Sequence, residues 1–228
     1  MNNLCIIPAR GGSKRIPKKN IKSFLGKPII AYSIEAAIQS KLFTEIMVST
    51  DCQETAEIAL RYGAKVPFLR SKKNSNDFAT TYDVIKEVID EYKKDGVNFE
   101  NICCIYACAP FVTANNLKHA YQELSNKQVD TIFPIIEYSF PIQRAVKIHN
   151  EKIELFNIDH LNTRSQDLEK SYHDAGQFYW MKSENILNKG RIITDNCSGI
   201  IITELEGQDI DNEIDWELAE LKFKLLKK

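Results

Sequence analysis

The feature that most constrains this chain is a repeated alternation of short apolar runs with helix-spaced segments. Leu4–Ala9 reads as a buried strand that ends in the turn Gly11-Gly12-Ser13. Ile29–Ser40 follows with helical spacing, Ile30, Ile34, Ala37 and Ile38 sharing one face. The beat continues through strand Glu45–Thr50, helix Gln53–Tyr62 stopping at Gly63, and a short strand Lys65–Leu69. Helix Thr80–Lys94, strand Ile102–Ala107, a helix from an N-cap at Thr113 to about Ser125, and strand Thr131–Ile136 come next. Strands alternating with helices imply an α/β fold, Rossmann-like, whose mostly parallel sheet is covered on both faces.

The beat breaks after Glu137. Residues 138–172 hold short alternating pieces, Ala145–His149 and Lys152–Phe156, and then the polar stretch NTRSQDLEKS. It resumes with strands Gly176–Met181 and Gly199–Thr203 and a final helix, Asp215–Leu226. The expectation is one domain over residues 1–228 with an inserted lobe at about 138–172; 228 residues are ample for a core of that kind. No apolar run approaches the ~20 residues of a membrane span. The opening MNNLCIIPARGG has neither a basic n-region nor a long apolar h-region, so no signal peptide and a cytoplasmic location are expected. Six cysteines, mostly inside apolar runs, agree with a reducing compartment.

Charge is separated along the chain. With 30 Lys+Arg against 31 Asp+Glu the formal net charge is -1, which excludes a nucleic-acid or membrane binder working through bulk charge. Yet no acid precedes Glu35, while Arg10, Lys14, Arg15, Lys18, Lys19, Lys22 and Lys27 are basic. Conversely, Glu204 to Glu217 holds seven acids and no base. Both runs border apolar strands, where α/β proteins place ligand-binding loops, although solvated faces give the same pattern.

The basic run, PARGGSKRIPKKN over Pro8–Asn20, lies between a strand and a helix, a position suited to phosphates. Gly11 and Gly12 permit close approach of backbone N–H groups, Ser13 offers a hydroxyl, and Arg10, Lys14 and Lys19 supply charge. It is neither a Walker A loop nor a GxGxxG fingerprint. In the acidic run, Asp209 and Asp211 are two residues apart, so an extended segment points both carboxylates to one side. Two hard oxygen ligands suit Mg²⁺, which keeps waters and takes substrate phosphates. The competing reading is a helix start, with Asp211 or Asn212 as cap and Asp215 suited to the dipole. CCIYAC (Cys103–Cys108) lacks zinc spacing and reads as a core strand, as do Cys5, Cys52 and Cys197. No histidine is linked by a motif to a thiol.

ARGGSKRIPKKN resembles the signature loop of the cytidylyltransferases that activate nonulosonic acids, and the likeness runs along nearly the whole chain. VSTD (Val48–Asp51), FLRSKKNSNDFATT, DAGQFYW (Asp174–Trp180) and QDIDNEIDW (Gln208–Trp216) are similar to further motifs of that family. Within it, FPIQRA (Phe140–Ala145) and RSQDLEKSYHDAGQFYW (Arg164–Trp180) look most like the branch acting on pseudaminic acid; the same reaction on sialic or legionaminic acid, or a non-catalytic nucleotide-sugar binding protein, are the alternatives. The resemblance implies reaction of CTP with the sugar acid to give a CMP-sugar and pyrophosphate, with Mg²⁺ held by Asp209 and Asp211. Arg10, Gly11, Gly12, Ser13, Lys14 and Asn20 would serve the triphosphate, and Arg70, Asp77, Ala79 and Thr80 the base and ribose. Lys19, Arg10 and Asp211 carry the catalytic expectation. Tyr106, Gln143 and His173 depart from the pattern of the sialic acid activators and, with Arg164, Gln177 and Tyr179, are expected at the sugar. A homodimer packed through the inserted lobe completes the expectation, the lobe being too small to bury Ile142, Val146, Ile148, Ile153, Leu155 and Phe156 alone.

Overall fold

Strand β1 (Asn3–Pro8) is buried on both sides, and this decides the architecture. In the computed structural model, which describes residues 2–227, β1 lies parallel between β4 (Glu45–Ser49) and β5 (Asn101–Ile105). Between β1 and β4 the chain makes a two-residue ribbon, β2 (Ser23–Phe24) with β3 (Lys27–Pro28), and then α1 (Ile29–Ser40). Helices α2 (Gln53–Arg61) and α3 (Thr81–Lys94) lead to β5, and α4 (Ala114–Asn126) to β6 (Thr131–Glu137).

Alternate residues of β1 feed different layers. Cys5 and Ile7 pack with Ile30 and Ile34 of α1 and Leu117 of α4. Leu4 and Ile6 pack with Ile85, Val88 and Ile89 of α3. Ile38, expected on the inner face of α1, is instead 43% exposed. A third cluster is smaller but positions the site. Ile16 of the basic run and Ile210 of the acidic run are both buried in it, beside Phe24, Phe111 and Trp216. Apolar packing thus clamps the two oppositely charged segments together.

The sheet is less parallel at its other side. β10 (Phe178–Lys182) runs antiparallel between β5 and β6, β9 (Tyr172–Asp174) pairs antiparallel with the end of β6, and β11 (Cys197–Ile201) is parallel to β6. Seven strands result, in the order β11-β6-β10-β5-β1-β4 with β9 on β6. The inserted segment holds a hairpin, β7 (Val146–His149) with β8 (Lys152–Leu155). Its turn residues Asn150 and Glu151 both have positive φ, the conformation a two-residue hairpin turn demands.

Two sequence expectations need correction. Lys65–Leu69 is not a strand: Lys65 alone bridges to β4, through Lys65 N–H to Ile46 O and Val48 N–H to Lys65 O, both at 2.8 Å. Pro67, with no N–H, cannot extend the ladder. Helix α5 (Ser183–Lys189) was not anticipated, since seven residues scarcely establish a period. The final helix, α6 (Glu213–Leu226), starts with a reciprocal cap: Asn212 Oδ1 accepts from Asp215 N–H at 3.0 Å, and Asp215 Oδ2 accepts from Asn212 N–H at 3.0 Å. Asp215 is therefore a helix-start residue.

Candidate active site

The C-terminal ends of β1, β4 and β5 open into a cleft of about 580 Å³, where the loops of a doubly wound sheet converge. One wall is the basic run, contributing Arg10, Ser13, Lys14, Lys19 and Asn20. The facing wall follows β4 and leads into α3, contributing Arg70, Asp77, Ala79 and Thr80. Tyr106 and Cys108, past the end of β5, form the floor, and Asp209 and Asp211 the remaining side.

The basic loop is held by its own glycine. A Cβ on Gly11 would lie 2.8 Å from the Cys52 Cβ, so the loop can seat against the end of VSTD only without a side chain there. Gly11 N–H donates to Asp51 Oδ1 at 2.8 Å, and Ser13 N–H to Gly11 O at 3.1 Å. Gly12 has open space around its Cα. Asn20 is fixed from two sides, its Nδ2 donating to Arg10 O at 2.9 Å and its Oδ1 accepting from Cys108 Sγ at 3.2 Å. Burial pushes the Cys108 thiol up to about 12, which keeps the donor proton in place.

Charges pair across the cleft. Asp77 meets Arg10 Nη1 and Lys14 Nζ, each at 2.6 Å, and these two cations hold its carboxyl below the usual carboxylate range, Lys14 foremost. Asp211 Oδ1 lies 2.8 Å from Arg15 Nη2 and 4.0 Å from Lys19 Nζ. Lys19 Nζ also donates to Ile210 O at 2.6 Å, so it bridges the basic and acidic segments. Asp209 is raised above its ordinary value, first by desolvation of its carboxyl against the cleft and then by the Asp211 charge. Arg70 is buried, with Nε donating to Ser49 Oγ at 2.9 Å and Nη2 to Ser49 O. Burial lowers its guanidinium pKa, yet an arginine stays charged. Thr80 caps α3 in a reciprocal box with Asp83. Among the described residues no three of His, Cys, Asp and Glu cluster tightly enough to hold a metal by themselves.

The residues expected at the sugar are scattered. Tyr106 Oη lies 3.1 Å from Thr81 Oγ1, and its ring meets Tyr179 edge-on at 5.5 Å. Tyr179 is buried behind it and donates to Asp174 Oδ2 at 2.5 Å; burial, Tyr106 and Asp174 all push its pKa up. Gln177 is buried, with Nε2 donating to Glu206 O at 2.5 Å and its Oε1 without a partner among the described residues. His173 is exposed, its ring 4.9 Å from that of Tyr138. Gln143 and Arg164 lie in the inserted segment, bound to Glu169 O at 2.8 Å and to the Asp167 carboxylate at 2.7 and 3.2 Å respectively, and do not line the cleft.

The cleft also holds residues with no role in the sequence expectation, among them Arg15, Asn74, Asn76 and Thr81. Cys108 is not part of a core strand, since β5 ends at Ile105 and the residue lines the cleft. Gly176, at φ +63, turns the chain beside Asp209.

A family model for cytidylyltransferases matches residues 4–200. Pseudaminic acid cytidylyltransferase of Campylobacter jejuni subsp. jejuni serotype O:23/36 (strain 81-176) is 44% identical over 226 residues, spanning 99% of this chain and 97% of that protein. CMP-N,N'-diacetyllegionaminic acid synthase of Legionella pneumophila is 34% identical over 238 residues, at 99% and 97% coverage. A solved CMP:2-keto-3-deoxy-manno-octonic acid synthetase, complexed with CTP, matches 99% of both chains with a TM-score of 0.73; at 16% identity this likeness bears on the fold alone. Matched by the family model over residues 4–200, and 44% identical to a relative along nearly its full length, this chain belongs to the cytidylyltransferase family.

Proposed function

We propose that this chain transfers CMP from CTP to the anomeric hydroxyl of pseudaminic acid, releasing pyrophosphate. The observation that carries the reading is the 44% identity over 226 residues to a pseudaminic acid enzyme, against 34% to the legionaminic acid one. The sugar oxygen attacks the α-phosphorus in line, a reaction that needs positioning and charge neutralisation more than covalent help. Arg10, Ser13, Lys14 and Lys19 take the triphosphate and meet the charge growing on pyrophosphate. The Gly11 and Ser13 amides already have acceptors, so the loop shifts before either reaches a phosphate. Arg70 supports the nucleoside end, together with Ala79 and Thr80. Asn20, held by Arg10 O and Cys108, presents its amide between phosphate and sugar.

Asp209 and Asp211 fit Mg²⁺. Desolvation first and the Asp211 charge second raise the Asp209 pKa, both of which a divalent cation would offset, and a two-carboxylate set leaves room for waters and phosphate oxygens. Bound there, the ion supplies Lewis-acid stabilisation of phosphate charge. No histidine lines the cleft among the described residues; Asp211 would accept the sugar proton, or the sugar hydroxyl would have its pKa lowered by a bound ion. Six free cysteines suit a cytoplasmic setting, and among the described residues no helix is long and apolar enough to cross a membrane.

A coupled pyrophosphate-release assay with CTP, Mg²⁺ and a panel of nonulosonic acids tests the substrate. Pseudaminic acid is expected to exceed sialic and legionaminic acid in kcat/KM on the order of 10²-fold, the scale of mismatched polar groups in a pocket. Equal or better turnover of either rival transfers the assignment to it.

We further propose one domain whose lobe makes a two-fold homodimer. Phe140, Ile148 and Ile153 are 83%, 79% and 73% exposed on or beside its hairpin, more apolar surface than a solitary lobe sustains. Gln143 and Arg164 would then serve the partner's cleft. Light scattering at micromolar concentration should give about twice 26.2 kDa, and a monomer refutes the association. Mixing Arg164→Ala with Lys19→Ala subunits should restore activity if sites are shared.

A further inference from the structure

Asp77 divides its two oxygens between two cations of the basic loop, Oδ1 to Arg10 and Oδ2 to Lys14, both at 2.6 Å. A phosphate group would offer the same two cations the same pair of acceptor oxygens. The carboxylate therefore stands where a phosphate has to go, and the two cannot use these donors together.

The segment bearing Asp77 is built to move. On its N-terminal side, Ser71 N–H and Oγ donate to the Glu87 carboxylate at 2.7 and 2.8 Å, fixing the chain to α3. On its C-terminal side, Thr80 is locked in the α3 capping box. Ser75 Oγ donates to Ser71 O and Asn76 Nδ2 to Lys73 O, each at 2.7 Å, so these two residues belong to the anchored turn. Beyond them the segment is held by Asn76 Oδ1, which accepts from Phe78 N–H at 2.7 Å and Ala79 N–H at 3.0 Å, the two bonds that have to give. Phe78, next to Asp77 and beside the cleft, is 92% exposed, so no core contact opposes displacement.

We propose that Asp77 is a competing internal anion, a filter that a phosphate ligand must displace to reach Arg10 and Lys14, swinging residues 77–79 away as it binds. The inference rests on the reading of the basic loop as the triphosphate site, and it replaces the expectation that Asp77 contacts the base or ribose. Weakly charged ligands gain little from the exchange, while a polyphosphate regains both pairs and adds further contacts. Because both ion pairs are partly exposed, each shifts the equilibrium only by a factor of a few. The filter therefore tunes affinity without abolishing it.

The test is calorimetric titration of pyrophosphate and of CTP into the full chain and into Asp77→Asn, each also carrying Phe78→Trp as a fluorescent reporter. The native Trp180 and Trp216 are buried and supply a constant background. Asp77→Asn is expected to tighten both ligands about tenfold. Pyrophosphate should shift the reporter's emission in the protein that keeps Asp77 and leave it unshifted in Asp77→Asn, whose segment is already released. Asp77→Ser, with a melting curve for each variant, guards against a folding defect. Weaker CTP binding with pyrophosphate unchanged would make Asp77 a nucleoside contact and overturn the proposal. Tighter binding with the reporter silent in both backgrounds would reduce Asp77 to a background charge and overturn it too. Failure of the unsubstituted chain to bind either ligand sinks the triphosphate reading itself, and the filter with it.

Discussion

Replacing Lys19 with alanine is expected to lower turnover at least ~10²-fold at saturating CTP, the scale of losing one preorganised charge partner in a transition state. Lys19 has the least exposed side chain among the cations of its loop and is held by a backbone carbonyl. Its Nζ donates to Ile210 O at 2.6 Å and lies 4.0 Å from Asp211, with Ile16 and Ile210 buried in one cluster beneath. The ammonium is thus positioned before substrate arrives and loses little side-chain freedom on binding it. Arg10 and Lys14, by contrast, first have to leave Asp77. The substitution also removes the bond to Ile210 O, so a melting curve should accompany the kinetics. A modest fall in Tm with a large fall in kcat is the expected combination. Near wild-type kcat with intact folding would take Lys19 out of the chemistry.

What the sequence disclosed follows from the range of the forces involved. Strands and helices with a strong apolar period, such as β1, α1 and α3, are legible because burial repeats locally. Thr113 announces its helix because a cap is a matter of adjacent residues. Lys65–Leu69 reads as a strand because it is a short apolar run, while the lack of a partner past Lys65 is a property of the pairing. The antiparallel placing of β10 is likewise invisible locally, since strand direction is set by the connection through the inserted segment. At the site, the basic and acidic runs stood out because charge is dense there. That Ile16 and Ile210 share a core, that Asp77 straddles two cations and that Cys108 orients Asn20 all depend on residues far apart in the chain. Gln143, Arg164, His173, Gln177 and Tyr179 do not line the cleft of their own chain, a placement that no local pattern in the sequence discloses.

Stripping divalent ions with EDTA is expected to abolish activity and Mg²⁺ to restore it, and Asp211→Ala should lower kcat at least ~10²-fold even at high Mg²⁺. The case rests on how the two carboxylates are arranged. Asp209 and Asp211 flank the buried Ile210, and desolvation, followed by the charge of Asp211, raises the pKa of Asp209. Removing Asp211 therefore deletes one ligand, relieves Asp209 of that repulsion and leaves Arg15 without its partner at 2.8 Å. A freed Arg15 adds positive charge to the cleft, so CTP binding should weaken less than turnover. Asp211→Asn, which keeps the shape and loses the charge, should behave like the alanine variant if charge is what matters. Asp215→Ala is the contrasting control. Its carboxylate accepts N–H bonds from Asp211 and Asn212 at the start of α6, so its loss should cost about 1 kcal/mol of stability with kcat largely kept. Magnesium titration by calorimetry separates binding from chemistry: the unsubstituted chain with CTP should show a Mg²⁺ heat that Asp211→Ala loses and Asp215→Ala retains. Full activity of the EDTA-treated protein without added metal would remove the metal role from Asp209 and Asp211.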